Sequence, residues 1–394
     1  MFRDIIGHEG PLSLLKRAAF TGRIPNAYLF VGPPHVGRRT AALQLAKALN
    51  CERNTSFASA DAVDCCDDCV NCRAFNQERH PDLMIVRPLV SLKGAEDDLV
   101  IESDEGGEGE EAPEFIEIEG SMIRTGQIEA LIEHSFLKRV QGRYKVYLII
   151  SAETMNEAAQ NRLLKTLEEP PPNTLLILTS ANLGALLPTT ISRCSVVSFE
   201  GVPAATAEAR LQGLHPDVPA EQLHSLVSLS GGRVGWAISM LQHPQVLQIR
   251  DDLLDLCVAL PDLPTLACLQ RGEQLMDAAE RWWTITVEGE VGERALKARR
   301  DRVLRTRMRE VLDVLISWFR DLIVAHADPD SPHLVNRDRR EDLRRLAPLY
   351  QVERCRRVCA YLEDMKAQLR QNANLRLATE IMALRLISAG GRAA

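Results

Sequence analysis

The segment "AYLFVGPPHVGRRTAALQLAKALN", residues 27–50, constrains the fold more than any other part of the chain. A short apolar run leads into a turn containing Gly32 and Gly37, and an Ala/Leu-rich stretch with helical spacing follows. This reads as strand, glycine loop, helix, the setting in which main-chain N–H groups at a helix start cradle phosphate. The working pattern G-x-x-x-x-G-K-[ST] places a lysine and then a hydroxyl after the second glycine. Here Arg38 stands at the lysine position and Arg39 at the hydroxyl position. A planar guanidinium fork does not substitute for an ammonium point charge. Arg39 puts a cation where the hydroxyl would hold Mg²⁺. Thr40 comes one residue late, about 100° further around the helix, and His35 takes a place that working loops often give to glycine.

Two further buried-strand candidates are "KVYLII" (145–150) and "TLLILT" (174–179). Between them "NEAAQNRLLKTLEEPP" reads as a helix stopped by Pro170, Pro171 and Pro172. Strands alternating with helices predict an α/β domain over residues 1–200 with a mostly parallel sheet. From residue 201 the pattern becomes helical, with a small helical domain expected over 201–245 and an all-α domain over 246–394. Trp282, Trp283 and Trp318 lie at helical spacing in that last part and read as core or interface residues.

Five of the ten cysteines, Cys51, Cys65, Cys66, Cys69 and Cys72, crowd into residues 51–72. Four thiolates suit tetrahedral structural zinc, and the even spacing of Cys66, Cys69 and Cys72, with Cys51 upstream, gives a closed set with no open position for catalysis. Cys65 and Cys66 are adjacent and either can be the ligand; the even spacing favours Cys66. His80 reads as a surface residue outside the set.

The net charge of −7 is unevenly held: twelve Asp or Glu and no Lys or Arg lie between Glu96 and Glu119. Residues 94–119 therefore read as a solvated acidic insertion, and the remaining body, with 47 basic against 42 acidic residues, is mildly basic. No apolar run reaches the roughly 18 residues of a membrane span. A cytoplasmic chain with no membrane association is expected.

"FRDIIGHEGPLSLLKRAAFTGRIPNAYLFVGPP", "KVYLIISAETMNEAAQNRLLKTLEEPP" and "LPTTISRCSVV" together resemble the clamp-loader AAA+ subunits of bacterial DNA polymerase III, nearly end to end. "LISWFRDLIV" and "NANLRLATEIMALRL" are similar to their helical collar segments. The resemblance implies an AAA+ body with a zinc-binding excursion, a helical lid and an oligomerising collar. It places Ile150 and Ser151 where the acidic pair of an ATPase belongs, and Gly235 and Trp236 where family ATPases carry a sensor arginine, with only Arg233 nearby. Gly7 and His8 fall on the adenine-pocket loop. ATP is not expected at Gly32, Gly37, Arg38, Arg39 and Thr40, or is held there only weakly.

The motif Ser192-Arg193-Cys194 is the one whose arginine, in the family, reaches across a subunit boundary to a neighbour's ATP. The resemblance thus implies a non-hydrolysing subunit in a hetero-pentamer with gamma/tau ATPase and delta subunits. It would act on a sliding clamp and meet primer–template DNA mainly through the complex, with Arg143 and Lys145 as candidate phosphate contacts. Lys165, Thr166 and Glu168 are expected to serve packing and subunit contact. Two other readings are a gamma/tau-type motor in which Arg38 replaces lysine, and a zinc protein that binds DNA outside replication. The missing acidic pair opposes the first, and the absence of a concentrated basic or aromatic patch opposes the second.

Overall fold

The computed structural model describes residues 1–54, 57–91, 115–117, 122–262, 268–286, 293–370 and 375–390. Most of the acidic insertion 94–119 lies outside them; within it, Phe115–Glu117 pairs antiparallel with Leu89–Ser91. Two compact units are present, Met1–Ala207 with Gly232–Gly235, and Glu208–Gly231 with Trp236–Ala394.

The first unit is built on a parallel sheet. Its strands, in chain order with the small hairpin strands Leu89–Ser91 (β3) and Phe115–Glu117 (β4) set apart, are β1 (Ala27–Val31), β2 (Leu83–Val86), β5 (Lys145–Ile149), β6 (Thr174–Ser180) and β7 (Ser195–Ser198). They lie in the order β2-β5-β6-β1-β7, all paired parallel. The three central strands β5, β6 and β1 are almost continuously buried, as a sheet covered on both faces requires. Helices α1 (Glu9–Thr21), α2 (Arg38–Asn50), α3 (Val70–Asn76), α4 (Thr125–Phe136), α5 (Glu157–Glu168) and α6 (Pro188–Ser192) complete this α/β body. One face of the sheet packs Tyr28, Phe30, Val146 and Leu148 against Leu45 and Leu49 of α2; the other packs Leu29, Tyr147 and Ile149 against Leu131, Ala159 and Leu163.

Strand order decides where chemistry can sit. β1 is flanked by β6 and β7, so the carboxyl end of β1 opens into the loop that starts α2, next to the ends of both neighbours. Gly32 leaves β1 at φ 153° with its N–H on the Ser180 carbonyl, 3.1 Å away. A Cβ there would stand 1.9 Å from the Phe199 carbonyl oxygen. Only glycine permits that approach.

The second unit is helical among its described residues: α7 (Ala204–Leu214) spans its boundary, and α8 (Ala220–Ser230), α9 (Val234–Gln242), α10 (Pro244–Ala259), α11 (Cys268–Thr286), α12 (Glu293–Ala327), α13 (Arg340–Leu346), α14 (Val352–Arg370) and α15 (Leu375–Gly390) follow. Trp282, Trp318 and Phe319 are fully buried in its core; the side chain of Trp283 lies outside the described residues. The carboxylate of Asp321 is buried and accepts the Val335 and Asn336 N–H groups at 3.0 and 2.7 Å, pinning the turn after α12. No helix among the described residues is long and apolar enough to cross a membrane.

Gly32→Ala is expected to lower the unfolding free energy by about 2–4 kcal/mol, the scale of forced overpacking at a strained backbone position. A fall in the urea midpoint followed by circular dichroism checks it, and an unchanged midpoint would contradict the close approach to Phe199.

Candidate functional site: a closed phosphate loop, a four-cysteine module and Arg193

Gly37 caps α2 at φ 110°, and His35 adopts left-handed geometry at φ 61°. The loop therefore has the curvature of a phosphate cradle. Its interior, however, is filled by the chain itself. Arg38 is 9% exposed; burial pulls its guanidinium below the ordinary arginine range, and the nearby Glu153 carboxylate pulls the other way. Its Nη1, and Oε2 of Glu153, are both buried without a hydrogen-bond partner among the described residues. Glu153 Oε1 accepts the Ala181 N–H at 3.1 Å, which fixes the carboxylate at the ends of the central strands. A positive and a negative group thus face each other where the phosphates of a nucleotide would bring their own charge.

The other loop residues turn elsewhere. Arg39 pairs with Glu78, which also holds Arg87 at 2.7 Å, and Thr40 is exposed. His8 brings Nε2 to the Val36 carbonyl at 2.7 Å and packs its ring edge-on to Phe199 at 5.1 Å. Gly7, at φ 73°, lies against Val202. At the sensor position Gly235 donates its N–H to the His35 carbonyl at 2.8 Å, and a Cβ on it would lie 2.8 Å from the same oxygen. Main chain, not an arginine side chain, covers the loop at this point. Ile150 and Ser151 follow β5 and carry no carboxylate; the Ser151 N–H donates to Thr179 Oγ1 at 3.1 Å.

The sulfur atoms of Cys51, Cys66, Cys69 and Cys72 lie within 4.8 Å of one another, with Cys66 and Cys72 at 3.9 Å. Tetrahedral zinc with thiolate bonds near 2.3 Å needs sulfur separations of about 3.8 Å, so this set can hold a metal ion. The sulfurs of Cys66 and Cys69 accept the N–H groups of Cys69 and Cys72 at 3.2 and 3.4 Å. Burial raises the Cys66 thiol, but the Asp68 and Cys69 N–H groups outweigh it and bring the thiol down to about 7. Cys65 points away, toward Gln44 Oε1 and Asp67 Oδ1, both at 3.4 Å.

This module is tied to the body by internal bonds. Asn71 Nδ2 donates to the Asn50 carbonyl at 2.9 Å, and Asn50 Oδ1 accepts the Tyr144 N–H at 2.8 Å. Arg143 donates to the carbonyls of Asn54 and Cys51. Lys145 is 2% exposed and holds the His134 and Leu137 carbonyls at 2.8 and 3.0 Å. Lys145 is thus buried on the protein's own carbonyl groups, whereas Arg143 is exposed and binds two of them. His80, expected at the surface, is buried: it stacks on Phe75 at 4.2 Å and reaches Asn71 Oδ1 at 3.2 Å. Residue spacing carries no sign of this, because a lone histidine does not reveal the aromatic ring beneath it.

Arg193 ends α6. Its Nε donates to Glu168 Oε1 at 2.5 Å, Nη2 pairs with the same oxygen, and Nη1 donates to the Thr189 carbonyl at 2.8 Å. Ser192 Oγ donates to the Thr189 carbonyl at 3.1 Å, and Cys194 packs partly buried beside the β5–β6 core.

The profile of a family described as "DNA polymerase III, delta subunit" matches residues 7–203, half of the chain. The chain belongs to the DNA polymerase III delta-subunit family. It is 27% identical to the DNA polymerase III subunit delta' of Bacillus subtilis over 62% of each protein. It is 34% identical to the subunit delta' of Pseudomonas aeruginosa, over 52% of this chain and 53% of that one. It is also 31% identical to the subunit tau of Escherichia coli, over 49% of this chain and 24% of that one. The matched region spans about half to three-fifths of the two delta' relatives. Within this family the chain is delta-prime-like, and the α/β body carrying the loop, the cysteines and Arg193 is the part that matches.

One zinc per chain is expected from elemental analysis of the purified protein. Cys66→Ser should lose it and Cys65→Ser should keep it. Affinity is expected to fall as pH is lowered, because protons compete for the thiolates. Equal metal loss in both variants would contradict the arrangement.

Proposed function

We propose that the chain is a non-hydrolysing clamp-loader subunit of DNA polymerase III that lends Arg193 in trans to the ATP site of a neighbouring subunit. The observation that carries this reading is the loop interior. Arg38 is buried, the Glu153 carboxylate acts on its charge, and Gly235 donates its main-chain N–H to the His35 carbonyl. Seating Mg²⁺·ATP there would require moving a buried cation and finding a metal ligand that Ile150 and Ser151 do not supply. Each of these costs free energy that a working site does not have to spend.

What stays accessible is Arg193, at 29% side-chain exposure and still carrying unengaged N–H groups. An arginine supplied across a boundary stabilises the charge that spreads over the transferring phosphoryl oxygens. In this reading residues 201–245 form the lid and 246–394 the collar, where Leu377, Ile381 and Leu384 are exposed on α15 and suit contact with other collars. The partners are gamma/tau ATPase and delta subunits in a hetero-pentamer that places a sliding clamp on primed DNA in the cytoplasm, and DNA is met mainly through the complex. Zinc in the four-cysteine module is structural. The motor reading requires Arg38 to leave Glu153 and take over the lysine's role, for which its buried position gives no support.

In a reconstituted complex, Arg193→Ala is expected to leave assembly intact while slowing hydrolysis at the one neighbouring site by about 10³-fold or more. This is measured as loss of that site's share of DNA-stimulated ATPase. Undiminished ATPase would overturn the proposal.

A further inference from the structure

Glu168 is the last residue of α5, where a carboxylate meets the negative end of the helix dipole. Nothing in the helix favours an acid there. Its backbone is nevertheless held, since Asn26 Nδ2 donates to the Glu168 carbonyl at 3.0 Å. Its side chain points at one target, the guanidinium of Arg193, whose Nε and Nη2 share Glu168 Oε1 while Nη1 binds the Thr189 carbonyl.

A guanidinium has five N–H donors in a fixed plane. Nε and Nη1 each donate one hydrogen bond and Nη2 lies against the same Glu168 oxygen, which leaves N–H groups on both terminal nitrogens. Those remaining donors are the ones a phosphate can take. A long arginine side chain loses much rotational freedom when it is fixed. Here that ordering is done within the subunit, before any partner arrives.

We infer that Glu168 is a positioning residue for Arg193: it grips the Nε side of the guanidinium so that the two terminal nitrogens are presented toward the neighbouring subunit's phosphate. This rests on the trans-arginine reading above. It separates two roles a carboxylate beside a cation can have. If Glu168 only offset charge, removing its charge by any substitution would change the rate in the same direction. If it positions, an uncharged side chain that still offers an acceptor oxygen to Nε keeps the function, and a truncated one does not.

The test uses the reconstituted clamp loader with clamp, primed DNA and ATP, comparing Glu168→Ala, Glu168→Gln, Arg193→Ala and the Glu168→Ala/Arg193→Ala double variant. Size-exclusion chromatography checks that each assembles. Glu168→Ala is expected to lower the Arg193-dependent part of kcat about fivefold to tenfold with KM for ATP unchanged. Glu168→Gln should restore most of that rate, and Glu168→Ala should add nothing on top of Arg193→Ala. If Glu168→Ala does not assemble, Glu168→Asp, which keeps the charge but shortens the reach, is expected to lose rate while Glu168→Gln does not. A wild-type or raised rate in Glu168→Ala, or a Gln variant as slow as the Ala variant, would overturn positioning while leaving the role of Arg193 standing. A full rate in Arg193→Ala would remove both.

Discussion

The buried guanidinium of Arg38 is the constraint around which the rest of the α/β unit is arranged. A cation nine-tenths removed from water needs compensation, and Glu153, anchored to the Ala181 N–H, supplies it from the end of a neighbouring strand segment. The strand order makes this possible. It brings the end of β1, the start of α2 and the turn after β5 to one place, which is also where a nucleotide would lie in an active relative of this architecture. At that place this chain sets a buried cation of its own, with a carboxylate near enough to act on it. The contact of Gly235 with His35 closes the same loop from the other side with main chain, where no side chain fits.

Much of this frame was legible in the sequence. β1, β5, β6 and the loop announce themselves because their apolar runs are continuous and the glycines have fixed spacing. Pro170 to Pro172 were expected to end α5, and it stops at Glu168. The edge strands β2 and β7 were not legible. Each is only four residues long: β2, LMIV, is apolar but too short to tell strand from helix, and β7, SVVS, is mostly exposed. The cysteine set could be read from spacing, and it comes together in space. The choice between Cys65 and Cys66 needed coordinates, because neighbouring residues point in different directions. Charge was the least legible feature. Arg39, Arg143 and Lys145 look like free cations in one dimension, yet each is held by a carboxylate or carbonyl brought close only by folding.

Those internal bonds give the cysteine module a part in the unit's rigidity. Cys51 offers its carbonyl to Arg143 and its sulfur to the four-cysteine set, while Asp82 accepts the N–H groups of Val140, Gln141 and Gly142 at 2.9, 2.7 and 2.5 Å. A metal at the sulfurs would therefore brace the loop before β5 as well as its own turn, since binding energy in such a site is folding energy. In the proposed role, a subunit lending Arg193 to a neighbour would benefit from a body that does not deform. The same unit thus buries one arginine, Arg38, in the loop and leaves another, Arg193, partly exposed.

The central claim is that the closed loop does not accept Mg²⁺·ATP. Isothermal titration of the isolated, zinc-loaded chain with ATP and Mg²⁺ tests it directly. The account predicts no saturable heat at micromolar nucleotide and no phosphate release. Micromolar binding with turnover would contradict it and make the chain a motor in its own right.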